Sequence, residues 1–199
     1  MALFEPLFAA LNEAEVRYVV VGGLATVLHG HARLTADVDL VVDLEPEEAR
    51  KALQVLAALG FQPRLPVAAT DFANPDTRRR WIDEKGMRVF SLVDPDNPMR
   101  AVDLFAEHVL DFEELWQRSE EIALRDTRVR VASIPDLIEL KEDWKAGWEN
   151  QEPNRLEASL AATPAQRLTW LEEAIELAWA TGALPAEGGS GDRRSPAWD

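Results

Sequence analysis

Asp37 and Asp39 lie two residues apart at the head of an otherwise apolar run, Asp37-Val38-Asp39-Leu40-Val41-Val42. On an extended strand that spacing puts both carboxylates on one face, roughly 7 Å apart, with Val41 and Asp43, while Val38, Leu40 and Val42 face the other way. At that separation and an effective dielectric of about 20, their repulsion is on the order of 2 kcal/mol. A divalent cation between them would relieve it, and so would solvent at a strand end. If a cation is the answer, oxygen-only ligands suit Mg²⁺ or Mn²⁺ rather than zinc. A third acid, Asp103, stands alone in the apolar run Met99-Arg100-Ala101-Val102-Asp103-Leu104-Phe105. A carboxylate buried mid-strand is costly unless it is metal-bound or paired, and Arg88 or Arg100 could pair with it.

Other residues could take part in the same chemistry. Gly22-Gly23 joins the β-branched run Arg17 to Val21 to a short helical stretch, Leu24 to His29. Such a junction lets a backbone approach an anion beside free helix N–H groups, and a plain tight turn needs the same residues. Arg33 and Thr35 precede the acid pair, where they could contact a phosphate or orient the loop. His29 and His31 flank Gly30 and read as helix-end residues. Lys141 falls on the stripe Leu137, Leu140, Lys141, Trp144 and Trp148 of a predicted helix, where an ammonium is avoided or snorkels to water. Arg78-Arg79-Arg80-Trp81 is the one basic cluster and reads as a solvated loop, with contact to an acceptor as the alternative.

The elements that must position these groups follow from periodicity. Leu3, Phe4, Leu7, Phe8 and Leu11 predict an amphipathic first helix. Arg17 to Val21 and Asp37 to Val42 are strands, and Pro46 to Leu59 is a helix with proline and two glutamates in its first turn. Residues 61–65 suit a short strand and 66–76 a loop. Two strands, 88–93 and 99–105, flank the turn Asp94-Pro95-Asp96-Asn97-Pro98. A helix over 111–121 and a strand over 129–132 follow. Ser133, Pro135 and Asp136 then open a further helix through a capping box. Further helices are expected over 155–162 and from Pro164 to a stop at Gly182. The domain division expected is 1–133 for the core, 134–185 for a C-terminal helical region and 186–199 for a disordered tail.

With 199 residues and 47% hydrophobic content the chain can bury a real core. It has no cysteine, which excludes disulfides and thiolate zinc sites and suits a cytoplasmic setting. No run of about 18 apolar residues and no basic leader stretch is present, so a soluble protein without membrane contact is expected. The net charge of −15 repels polyanions and disfavours generic DNA binding. A nucleotide held through Mg²⁺ is compatible with that charge, because the ion supplies positive charge locally.

Strand, Gly22-Gly23, helix, then Arg33-x-Thr35-x-Asp37-x-Asp39 on the next strand resembles the minimal nucleotidyltransferase signature of the DNA polymerase β superfamily, and within it the AbiEii-like toxins of type IV toxin–antitoxin systems. The resemblance covers roughly residues 16–148. It implies an α+β fold with an α/β core, a small mixed sheet flanked by helices, and a C-terminal helical part. It implies an enzyme that moves NMP from an NTP to a hydroxyl on RNA, a protein or a small molecule. Two Mg²⁺ or Mn²⁺ ions would be held by Asp37, Asp39 and Asp103, with Asp103 as general base. Gly22, Gly23, Arg33, Thr35 and Lys141 would hold the nucleotide, and an antitoxin-like protein partner would accompany it. Family members continue past the lysine with an arginine and an aspartate. Here Trp148 stands at the arginine position and the aspartate is missing. A nucleotide-sensing or partner-binding module with weakened catalysis is the alternative.

Overall fold

The computed structural model describes residues 4–30, 37–124, 126–143, 163–165 and 168. In chain order these form α1 (Glu5–Glu13), β1 (Tyr18–Val21), α2 (Gly22–Leu28), β2 (Asp37–Val42), α3 (Pro46–Ala58), β3 (Gln62–Pro63), a 3₁₀ turn (Ala69–Ala73) and α4 (Pro75–Lys85). They continue with β4 (Val89–Asp94), β5 (Asn97–Phe105), α5 (Phe112–Arg118), β6 (Glu120–Ala123), β7 (Arg128–Val131) and α6 (Ile134–Asp143). The strands make one mixed sheet, ordered β3-β4-β5-β2-β1-β7-β6. β2 lies parallel to β5 and β1 parallel to β7, and the other pairs are antiparallel. This is the mixed α/β architecture expected from the pattern.

Alternation along the strands decides which face each side chain meets. Val38, Leu40 and Val42 of β2 are buried with Phe90, Leu92, Val102 and Leu104, under α1, α3 and Trp81 of α4, in the main core. On the opposite face Val19, Val21, Val41 and Phe105 pack against Phe112 and Leu115 of α5 and Leu140 of α6. That second cover is partial. Along β4, Phe90, Leu92 and Asp94 are buried, while Val89, Ser91 and Val93 are only half-buried. The second face is therefore lidded beside β1 and accessible towards β4, and the acid pair sits between these regions.

Three expectations are corrected. The stretch 66–76 is not all loop: a 3₁₀ turn at Ala69–Ala73 leads into α4, which starts at Pro75. The Asn74 side chain accepts hydrogen bonds from the Asp76 and Thr77 amides, and Gly86 closes the helix in the left-handed region. The basic cluster therefore lies on a helix. Arg78 is buried, donating to the carbonyls of Phe72 at 2.6 Å and Leu44 at 2.9 Å, while Trp81 stacks on Phe90. Arg79 and Arg80 stay exposed. The helix at 111–121 stops at Arg118, and Glu120–Ala123 becomes β6 against β7. Leu168 is buried in the main core. The helices expected over 155–162 and 164–182, Trp144, Trp148 and the tail lie largely or wholly outside the described residues.

Arg78 pins the loop before α3 to the 3₁₀ turn before α4. Arg78→Met keeps the apolar stem but leaves two carbonyls without a donor, so it should cost about 2–4 kcal/mol in urea unfolding. A loss under about 1 kcal/mol would show that water replaces the guanidinium.

Candidate active site

β2 and β5 are parallel neighbours in a register that places Asp39 directly opposite Asp103 and Asp37 opposite Ala101. Opposed residues project on the same face, so the three carboxylates share the face that α5 and α6 only partly cover. Asp39 and Asp103 are half-buried and Asp37 is exposed at the strand end. Val38 and Leu40, 2% and 0% exposed, point into the main core as the alternation requires. Asp43 departs from the expected grouping: its carboxylate is engaged by Arg17 at 3.0 Å and by the Glu45 amide.

Asp103 is not neutralised by either arginine near it in sequence. Arg100 pairs with Asp94 at 2.6 Å and lies over the Phe61 ring, while Arg88 faces Glu107 at 3.8 Å. Among the described residues the Asp103 carboxylate makes no hydrogen bond or ion pair. Its charge instead reaches Asp37. Desolvation raises the Asp37 carboxyl above its ordinary range, Asp103 raises it further, and Arg64 pulls it back.

Gly22 explains how Asp39 fits. Its φ is +63°, and a Cβ there would stand 2.0 Å from the Asp39 Oδ2. Only glycine lets the β1–α2 junction lie against that carboxylate, which the Gly23 N–H approaches at 3.4 Å. The glycine pair opens α2 rather than preceding it, and the Thr26 hydroxyl donates to the Gly22 carbonyl at 2.8 Å. His29 caps the other end of α2 and its Nε2 meets the Ala132 carbonyl at 2.8 Å, a helix-end role as expected. Arg33, Thr35 and His31 lie outside the described residues.

α6 approaches the same face from the β7 side. Ser133 and Asp136 cap it: the hydroxyl donates to Asp136 at 2.6 Å and accepts from its amide at 3.3 Å. Arg118 of α5 locks the buried Asp136 at 2.8 Å. The packed side of α6 is Asp136, Leu137 and Leu140, and Lys141 is exposed at its edge, where an ammonium can snorkel to water; Trp144 and Trp148 lie outside the described residues.

The donor set fits a hard divalent cation, being all carboxylate oxygen on adjacent strands. The Asp39 carboxylate is turned towards Gly22 and Gly23, and among the described residues no three His, Cys, Asp or Glu side chains are placed to hold one ion. A cation would draw on Asp37, Asp39 and Asp103 only after these side chains rearrange.

The raised Asp37 carboxyl has a measurable consequence. A group that holds its proton more tightly when folded stabilises below its unfolded pKa, and that contribution is lost as pH rises through the raised value. In metal-free buffer, wild-type stability should decline across that carboxylate range, and Asp37→Asn should remove this share of the decline. Mg²⁺ or Mn²⁺ should restore wild type at neutral pH by mass action and leave Asp37→Asn unmoved. Urea titrations from pH 4 to 8, with and without the ion, read both.

Sequence reasoning passed over Gln62, Arg64 and Ser91. Ser91 stands opposite Asp103 across β4 and β5, and the Arg64 amide donates to the Ser91 carbonyl at 3.0 Å. Nothing in their types marks them, and only strand pairing brings them into the row of acids. Among the described residues no helix is long and apolar enough to cross a membrane.

No protein-family model matches the chain. No curated protein matches it either. Among solved structures it is similar to the antibiotic-resistance factor ANT(2'')-Ia, with 16% identity over 91% of this chain and 93% of that one and a TM-score of 0.48. It is also similar to the lincomycin-bound lincosamide antibiotic adenylyltransferase LnuA, with 12% identity over 83% of this chain and 94% of that one and a TM-score of 0.45. What the carboxylates do rests on their own geometry.

Proposed function

We propose that the chain is a divalent-cation-dependent nucleotidyltransferase, moving NMP from an NTP to a hydroxyl acceptor. The observation that carries this reading is the register of Asp39 opposite Asp103, on an accessible sheet face, with Gly22 stripped of a side chain where Asp39 meets it. Asp37, Asp39 and Asp103 would hold Mg²⁺ or Mn²⁺, which when bound lowers the pKa of a hydroxyl and neutralises triphosphate charge. The acceptor oxygen forms a bond to the α-phosphorus as the bond to pyrophosphate breaks. Asp103 takes the hydroxyl proton. Gly22 and Gly23, with Arg33, Thr35 and Lys141, are assigned to the phosphates.

Within that reading the Arg33-x-Thr35-x-Asp37-x-Asp39 spacing favours an AbiEii-like toxin with an antitoxin-like partner, and a small regulator encoded beside it is the expected companion. Trp148 at the family's arginine position favours a second reading, a nucleotide-sensing module with weakened catalysis. One assay separates the two. Each α-labelled NTP is incubated with the protein, Mg²⁺ and cell extract, and label on any acceptor is scored. Transfer that disappears in Asp39→Ala supports the enzyme. Mg²⁺-dependent NTP binding without transfer supports the sensor, and absence of both sinks the two together.

A further inference from the structure

The accessible part of the acid-bearing face continues past Asp103 onto β4 and β3. In register across it run Asp39, Asp103, Ser91 and then Arg64, with Gln62 opposite Val93 one step along. Gln62 and Arg64 are exposed and Ser91 is half-buried. Successive strands are about 4.8 Å apart, so this polar extension begins one strand beyond Asp103. It lies on the side of the acids away from Gly22, which sits at the end of β1.

Arg64 differs from most of the described arginines in this strongly acidic chain; Arg78 and Arg80 also lack a carboxylate but hydrogen-bond to other groups. Arg88, Arg100, Arg118, Arg128 and Arg130 each have a carboxylate partner. Among the described residues the Arg64 guanidinium has neither ion pair nor hydrogen bond, and it is held only through its backbone. A planar cation with five free donors, mounted beside carboxylates on an accessible face, is suited to a phosphate.

We propose that Gln62, Arg64 and Ser91 form the acceptor side of the site, and that the acceptor is a small hydroxyl compound carrying a phosphate close to the reacting hydroxyl. This rests on the nucleotidyltransferase reading for its direction: with the triphosphate towards Gly22 and Gly23, the attacking hydroxyl comes in over Asp103 and β4. The size limit comes from charge. At −15 the chain repels a long polyanion, whereas one phosphate next to Arg64 gains a local contact at little long-range cost. The Arg64 charge is already felt at Asp37, which places it within reach of the reacting groups.

The test compares ribose 5-phosphate with ribose, and both with a 20-nucleotide RNA, by NMR titration in Mg²⁺. Wild type should bind ribose 5-phosphate at least about tenfold more tightly than ribose, the scale of one charge-assisted contact. Arg64→Ala should abolish that preference, and Arg64→Lys should keep part of it. Arg64 is exposed, so both variants should fold. Equal binding of the sugar pair by wild type, an undiminished preference in Arg64→Ala, or tighter binding of the RNA would overturn the proposal. A phosphate preference that depends on Arg64 in a protein that transfers no NMP would instead sink the enzyme reading and leave this face as an anion site.

Discussion

Asp103→Asn should lower nucleotidyl transfer by about 10³-fold or more, while the protein stays folded and, in metal-free buffer, becomes no less stable. The size follows from the proposed role, in which Asp103 holds transition-state charge in a fixed position. The stability sign follows from the neighbourhood. Asp103 has no cationic partner among the described residues and acts on Asp37 only by repulsion, so an uncharged isostere removes a cost. A structural carboxylate would give the opposite pattern, with lost stability and retained turnover. Asp39→Asn should match the loss, and the double variant should fall little further, because on the proposed reading the two are ligands of one site and act as a unit. Transfer in Asp103→Asn above about a tenth of wild type would remove Asp103 from the chemistry.

Much of this site could be read before the fold because it is written in period two. Val38, Leu40 and Val42 alternate with the acids, and that fixed which face Asp37 and Asp39 take once the strand was recognised. Asp103 stood out as a lone acid in an apolar run. Lys141 is harder to place from sequence for a different reason. A helix turns 100° per residue, and the buried side chosen by Asp136, Leu137 and Leu140 leaves position 141 just past its edge. The buried Asp136 was not legible as a facing residue, since its partner Arg118 lies on another helix. α4 is hard to read from sequence because it carries little apolar content. Trp81 and the stem of Arg78 do its packing, and the Asn74 cap sets its start. Arg64 could not have been found at all without knowing that β3 pairs with β4 and β4 with β5.

Gly22→Ala should cost transfer about 10²-fold and stability more than its backbone conformation alone explains. At φ +63° any residue with a Cβ pays roughly 1–2 kcal/mol. Gly86, at φ +62° with nothing within 4 Å of where a Cβ would stand, pays that same backbone cost and no other, so Gly86→Ala is the internal control. The excess in Gly22→Ala measures the collision with Asp39, whose Oδ2 and Cγ would lie 2.0 and 2.6 Å from the new carbon. Neither position is tolerable, so either the carboxylate or the start of α2 must move, and both hold the candidate site. Asp39→Ala removes the two nearest atoms and leaves its Cβ 2.9 Å away. In that background the penalty of Gly22→Ala should shrink towards the Gly86→Ala value without reaching it, a coupling read directly from a double-mutant cycle in urea. If the two glycine penalties are equal in the wild-type background, the β1–α2 junction is an ordinary turn and Asp39 is not held there by the missing side chain.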